Sequence, residues 1–206
     1  MDAAVAAGEY NEQDPFKDRD PRFGAVVIYN QKDLRGYGAA SLYVNEDGSL
    51  PTESLLRKRE GSTDGVSETF YYEQKRTGNL SSKGEQNVIL TDPIIRLAEV
   101  YLNYAEAVNE AYGPSGSAPG ASLTAVEAVN TVRERAGMPG VLSQFTGSAD
   151  AFRDRIKNER AVELCFEGYH YYCDIRRWKD APAIGRSRLY GLRATKLSGG
   201  ATSAYP

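Results

Sequence analysis

Three carboxylates recur at four-residue intervals late in this chain: Glu159, Glu163 and Glu167, with Arg160 beside them. If one helix carries all three, that spacing lines them up on one face. A pair of carboxyl groups held across a sugar is the machinery of glycoside hydrolysis, so one reading of the row is catalytic. The other is a row of ion pairs with Arg155, Arg160 and the Arg176–Arg177 pair, and helix-borne Glu rows are far more often structural. If such pairs are buried, removing one partner leaves an uncompensated charge at a cost of about 3–5 kcal/mol. The row would then determine the fold and perform no chemistry.

Other chemistries are thinly supplied. His170 is the only histidine, which excludes a His-rich zinc site, an HExxH helix and a Ser-His-Asp triad built on any other histidine. Lying among Tyr169, Tyr171 and Tyr172, it suits a hydrogen-bonded or partly buried residue better than a general base. Cys165 and Cys173 are the only cysteines. Carried on one helix they would lie about 12 Å apart along its axis, so a disulfide would need a sharp turn between them. Gly36-Tyr37-Gly38 lacks the third glycine of a dinucleotide fingerprint, and no phosphate-binding GxxxxGK[ST] occurs. No cofactor or metal site is expected.

Aromatic residues are more informative. The chain has 14 Tyr against 6 Phe and 1 Trp, a bias toward the ring that offers stacking area and a hydrogen bond together. Tyr29, Tyr37, Tyr43, Tyr71 and Tyr72 fall in a stretch read as loops. They could present rings to a sugar, or they could pack those loops onto the rest of the fold.

The elements that must position these residues divide the chain at 92/93. Residues 1–92 are dense in turn signals, among them Asp14-Pro15, Asp20-Pro21, Asp47-Gly48 and Gly78-Asn79. Only short strand-like runs separate them, Ala25–Tyr29 and Thr69–Tyr72, and Arg57-Lys58-Arg59 reads as a solvated charge cluster. Residues 93–206 are helical. Asp92 can cap a helix that has Pro93 in its first position, with Ile94, Leu97, Ala98, Tyr101, Ala105, Val108 and Ala111 as its apolar stripe. Gly113-Pro114 ends it. A second helix starts near Ser122 or Thr124, where Thr124 and Glu127 have capping-box spacing, and Gly137 stops it. Its apolar positions are Val126, Val129, Val132 and Ala136. A third helix is expected over about 148–166 and a fourth over about 169–178. The first two make a hairpin the size of one tetratricopeptide-type unit, and no second copy follows.

Composition narrows the function classes. The 206 residues carry 28 acidic and 25 basic side chains, a formal charge of −3, which leaves no electrostatic footprint for nucleic acid. No apolar run approaches the roughly 18–20 residues of a membrane span, and Met1–Gly8 lacks the basic n-region of a secretory signal.

The helical half carries a specific resemblance. Pro93–Ala107 (PIIRLAEVYLNYAEA) resembles the RLAEvYLnyAEA helix of the SusD/RagB family, through Arg96, Glu99 and Glu106. Asn130–Met138 (NTVRERAGM), with Arg133 and Arg135, is similar to that family's N.vR.RAGmp element. Glu159-Arg160, Glu163-Leu164, Phe166-Glu167-Gly168 and Asp174–Trp178 with Arg177 resemble its ER..EL.fEG.r..D.rRW run, and Asp20–Phe23 its DPRf segment. His170 stands where the family commonly has arginine.

The resemblance implies a mainly α, SusD-like fold: a tetratricopeptide-type helical hairpin supporting a loop-rich face that recognises ligand, with the motif residues acting as scaffold. It also implies binding of an oligosaccharide or other nutrient without turnover, by a lipid-anchored protein of the Bacteroidetes outer membrane. The implied partner is a SusC-type TonB-dependent transporter. Family proteins are longer and begin with a signal peptide and a lipidated cysteine, so this chain is expected to be an internal or C-terminal portion without its anchor. Two other classes stand beside this reading: a helical-repeat module that binds a protein partner, and a hydrolase using the Glu159–Glu167 row.

Overall fold

The structure is a computed structural model that describes residues 11, 14–34, 38–52, 54–56, 67–75, 93–187, 191–197 and 202–205. The chain divides into two compact units, one of residues 1–19, 23–90 and 186–206, the other of residues 20–22 and 91–185. Asp92, Arg57-Lys58-Arg59 and Tyr37 lie outside the described residues.

In the first unit the strand-like runs form two small sheets. β1 (Val27–Ile28) pairs antiparallel with β3 (Tyr72–Glu73), Val27 opposite Glu73 and Ile28 opposite Tyr72. β2 (Val44–Asn45) runs parallel to β4 (Arg193–Lys196), which pairs antiparallel with β5 (Thr202–Tyr205). A small core of Ile28, Ala40, Leu42 and Leu56 lies beneath Leu34, Phe70 and Tyr72. The expected strand at Ala25–Tyr29 is shorter than its sequence suggested, because a short helix, α1 (Pro21–Val26), takes Ala25 and Val26. Its start is local chemistry. Pro21 has its φ preset for a helix, and Asp20 Oδ1 accepts the Arg22 N–H at 2.9 Å.

The second unit is helical: α2 (Leu97–Tyr112), α3 (Ala125–Arg135), α4 (Ala149–Glu163), α5 (His170–Arg177) and the short α6 (Ala181–Ile184). Its core joins Ala98, Leu102, Ala105 and Val108 of α2 to Ala125, Ala128, Val129 and Val132 of α3 and to Phe152 and Ile156 of α4. Alanine at four of these positions lets the helices approach closely. α2 starts four residues later than the sequence indicated. Arg96 is extended (φ −112, ψ 151) and serves as N-cap, because its guanidinium reaches across to Glu163 and Glu167. The stripe is rephased accordingly: Ile94 and Leu97 are exposed, while Leu102 and Asn109 turn inward.

The α2–α3 connection is pinned by Tyr104. Its hydroxyl donates to Leu123 O at 2.5 Å and accepts the Ala118 N–H at 3.2 Å. Gly116 is required there, since a Cβ would come within 2.3 Å of Tyr112 Cβ and 2.6 Å of its carbonyl oxygen. The expected capping box is present. Glu127 N–H donates to Thr124 Oγ1, and Thr124 N–H donates to Glu127 Oε2 at 2.7 Å. Thr124→Ala is expected to lower stability by about 1 kcal/mol, read as a shifted urea midpoint with unchanged slope. Gly137, at φ +75, turns the chain out of α3.

Among the described residues no helix is long and apolar enough to cross a membrane.

Candidate functional site

Glu159 and Glu163 lie on the inward face of α4, both almost fully buried. Glu167 does not continue the row: α4 ends at Glu163, and Phe166 at φ +61 and Gly168 at φ +49 form a turn that carries Glu167 away from the helix axis. Glu159 Oε1 accepts from Arg22 Nη1 at 2.5 Å, and Oε2 from Arg133 Nη1 at 2.9 Å. Glu163 Oε2 accepts from Arg22 Nη1 at 3.0 Å, and Oε1 from Arg96 Nη2 at 3.0 Å and Arg135 Nη2 at 2.7 Å. Glu167 Oε2 accepts from Arg96 Nε at 2.7 Å. Every oxygen of Glu159 and Glu163 is held by arginine. The row is a charge-paired spine joining the DPRF segment, α2, α3 and α4.

Arg22 is the residue that reading the row by itself missed. Burial opposes its charge, but Asp20, Glu159 and Glu163 together hold its guanidinium well above the ordinary arginine range. Its signal was available in the Asp20–Phe23 motif, 137 residues from its partner.

A second set of ion pairs joins α2 to α5. Arg160 donates to both Asp174 oxygens, at 2.8 and 3.1 Å, and through Nη1 to Asn103 Oδ1 at 2.6 Å. Glu106 accepts two bonds from Arg177 and one from Trp178 Nε1 at 2.9 Å. Lys157 and Arg177 lie over the Trp178 ring.

These pairs form the floor of a cleft of about 450 Å³ between α2 and α5, which Glu99, Asn103 and His170 also line. Glu99 Oε2 stands 3.8 Å from His170 Nε2. Cys173 is exposed at its edge and forms no disulfide. Among the described residues no group of three or more His, Cys, Asp or Glu could hold a metal ion.

The tyrosines separate by environment. Tyr43 is 5% exposed, under Lys196. Tyr72 packs on the small core and its hydroxyl donates to Leu55 O at 3.0 Å. Both serve packing. Tyr29 and Tyr71 are half-buried and share one aromatic cluster with Phe16 and Phe23: Tyr29 lies 4.4 Å from Phe16 and 5.1 Å from Phe23, and Tyr71 meets both phenylalanines edge-on.

The paired carboxylates give the fold a pH dependence. Burial pushes Glu106 up, but the Arg177 and Trp178 hydrogen bonds outweigh it and hold the carboxyl below its ordinary value of 4.5. The Arg22 hydrogen bond holds Asp20 below its ordinary 3.8 against the opposing effect of burial. A carboxyl with a depressed folded-state pKa stabilises fully above its unfolded value and loses that contribution as pH falls through the folded one. The urea midpoint is therefore expected to decline below about pH 4.5, and Glu106→Gln should flatten part of that decline. A midpoint constant down to pH 3 would contradict this assignment.

The sequence model of the SusD family matches residues 2–198. A solved SusD-like protein from Bacteroides fragilis is 25% identical with a TM-score of 0.58, the match covering 98% of this chain and 34% of that one. A second solved structure, titled a SusD-like carbohydrate binding protein and also from B. fragilis, is 28% identical with a TM-score of 0.60, covering 85% and 32%. The chain thus spans about a third of the length of these structures. No curated protein sequence matches it significantly. Matched over nearly its whole length, the chain belongs to the SusD family.

Proposed function

We propose that this chain is part of a cell-surface protein that binds glycans or a related nutrient, without altering them, and passes them to a SusC-type TonB-dependent outer-membrane transporter. Membership of the SusD family over residues 2–198 carries the reading. The likeness to a structure titled as a carbohydrate binding protein supports the ligand class. The commitment of the Glu159 and Glu163 oxygens to arginine supports binding over turnover. In this reading the helical portion, 93–206, is the support and the loop-rich portion, 1–92, contributes recognition.

A panel of soluble polysaccharides in native affinity gels, with reducing ends assayed in the same samples, tests it. Retardation without product release is the expected result. Released reducing ends would overturn it and return the carboxylate row to consideration. Indifference to every glycan together with capture of a protein partner would favour a helical-repeat interaction module.

A further inference from the structure

We propose that the α2/α5 cleft is itself a saccharide site, in which Glu99, Asn103 and His170 recognise a neutral, hydroxyl-rich ligand and anionic sugars are rejected. This rests on the glycan-binding reading above and adds to it a second place of recognition, within the helical portion that reading treats as support, with a residue set and a charge preference.

The first argument is the division of labour within the cleft. Arg160, Asp174, Arg177 and Glu106 are committed to one another, two of the four being buried. They make a rigid floor that gains nothing by turning toward a ligand. Glu99, Asn103 and His170 differ. Neither Glu99 oxygen and neither His170 ring nitrogen has a hydrogen bond to a described residue, and their approach of 3.8 Å is too long for one. Asn103 spends its carbonyl oxygen on Arg160, a bond that fixes the amide plane and leaves its NH₂ without a partner among the described residues.

The second argument is placement. Glu99 and Asn103 are four residues apart on α2, so their side chains are neighbours on one helix face, and His170, at the start of α5, meets Glu99. A carboxylate acceptor beside an amide donor matches adjacent sugar hydroxyls, each of which both donates and accepts. The imidazole adds a third group on the facing helix. The volume of about 450 Å³ lies in the range of small-ligand sites and accommodates one or two sugar rings.

The third argument is charge. Glu99, Glu106, Glu110 and Asp174 line the cleft against Arg160 and Arg177; Glu110 is paired with Arg153 from outside the lining, so Glu99 is the acid of the cleft that no arginine meets. Both arginines are already engaged with carboxylates, so a uronate or sulfate would enter without a free guanidinium to meet it. Like-charge juxtaposition of this kind selects against a ligand.

Isothermal titration of the full chain with maltohexaose, cellohexaose, xylohexaose, mannohexaose and hexagalacturonate tests the proposal. At least one neutral hexasaccharide should bind, and hexagalacturonate at least about tenfold more weakly. Glu99→Ala and Asn103→Ala should each weaken the neutral ligand by about tenfold or more, the loss expected for a hydrogen bond to a charged or well-placed group. Glu99→Gln and His170→Gln, which preserve size, guard against a folding artefact and should show smaller losses in the same direction at an unchanged melting temperature. Wild-type affinity retained in all four variants would overturn the cleft while leaving glycan binding intact. Hexagalacturonate binding as tightly as the neutral sugars would overturn the charge preference. No binding by any hexasaccharide would overturn both this proposal and the reading beneath it.

Discussion

Arg160→Ala is expected to lower the unfolding free energy by about 3–5 kcal/mol, against about 1.5–3 kcal/mol for Glu167→Ala. Both residues stand in the same motif, and sequence alone ranks them together. Their surroundings separate them. Arg160 and Asp174 are both buried, and the guanidinium grips the carboxylate with two bonds of 2.8 and 3.1 Å. Removing Arg160 leaves Asp174 buried with only Arg177, which is half exposed, and strips Asn103 of its anchor. Glu167 sits in a turn, paired with an Arg96 that retains Glu163 as a second partner. Urea melts of the two variants decide the matter. Equal and small losses, within about 1 kcal/mol of wild type, would mean that both pairs behave as solvated surface pairs.

What could be read from the sequence follows from which interactions are local. The Thr124 capping box and the Gly137 stop depend on residues three or four apart, and both stand where spacing put them. The start of α2 does not, because Arg96 is drawn out of the helix by Glu163 and Glu167, some seventy residues away. The same distance hid Arg22, whose partners lie 137 and 141 residues along the chain. Composition drew attention to the tyrosines of the loop-rich half, but a ring's type does not reveal its neighbours. Tyr43 and Tyr72 are held in packing, and Tyr29 and Tyr71 spend much of their surface on Phe16 and Phe23. The cleft was legible only in part. Glu99 and Asn103 share a motif helix at a spacing that puts them side by side, whereas their meeting with His170 depends on how α5 packs on α2.

Glu159→Ala should cost as much as Arg160→Ala, about 3–5 kcal/mol, for a different reason. Glu159 is about 1% exposed and sits between two guanidiniums that are themselves mostly buried, Arg22 and Arg133. Two cations then face each other across the volume the carboxylate occupied. Arg22 retains Asp20 and Glu163, but Arg133 is left with only the carbonyl oxygen of Pro139. Much of the loss should therefore come from Arg133. Removing that charge as well, in Arg133→Met/Glu159→Leu, replaces a buried pair by apolar side chains of similar volume, an exchange that is often neutral or stabilising. The double variant should be less destabilised than the sum of its single changes, by a coupling of about 1–3 kcal/mol. Strict additivity would show that Arg133 relaxes to solvent once Glu159 is gone, and the spine would then be held by Glu163 and its three arginines instead.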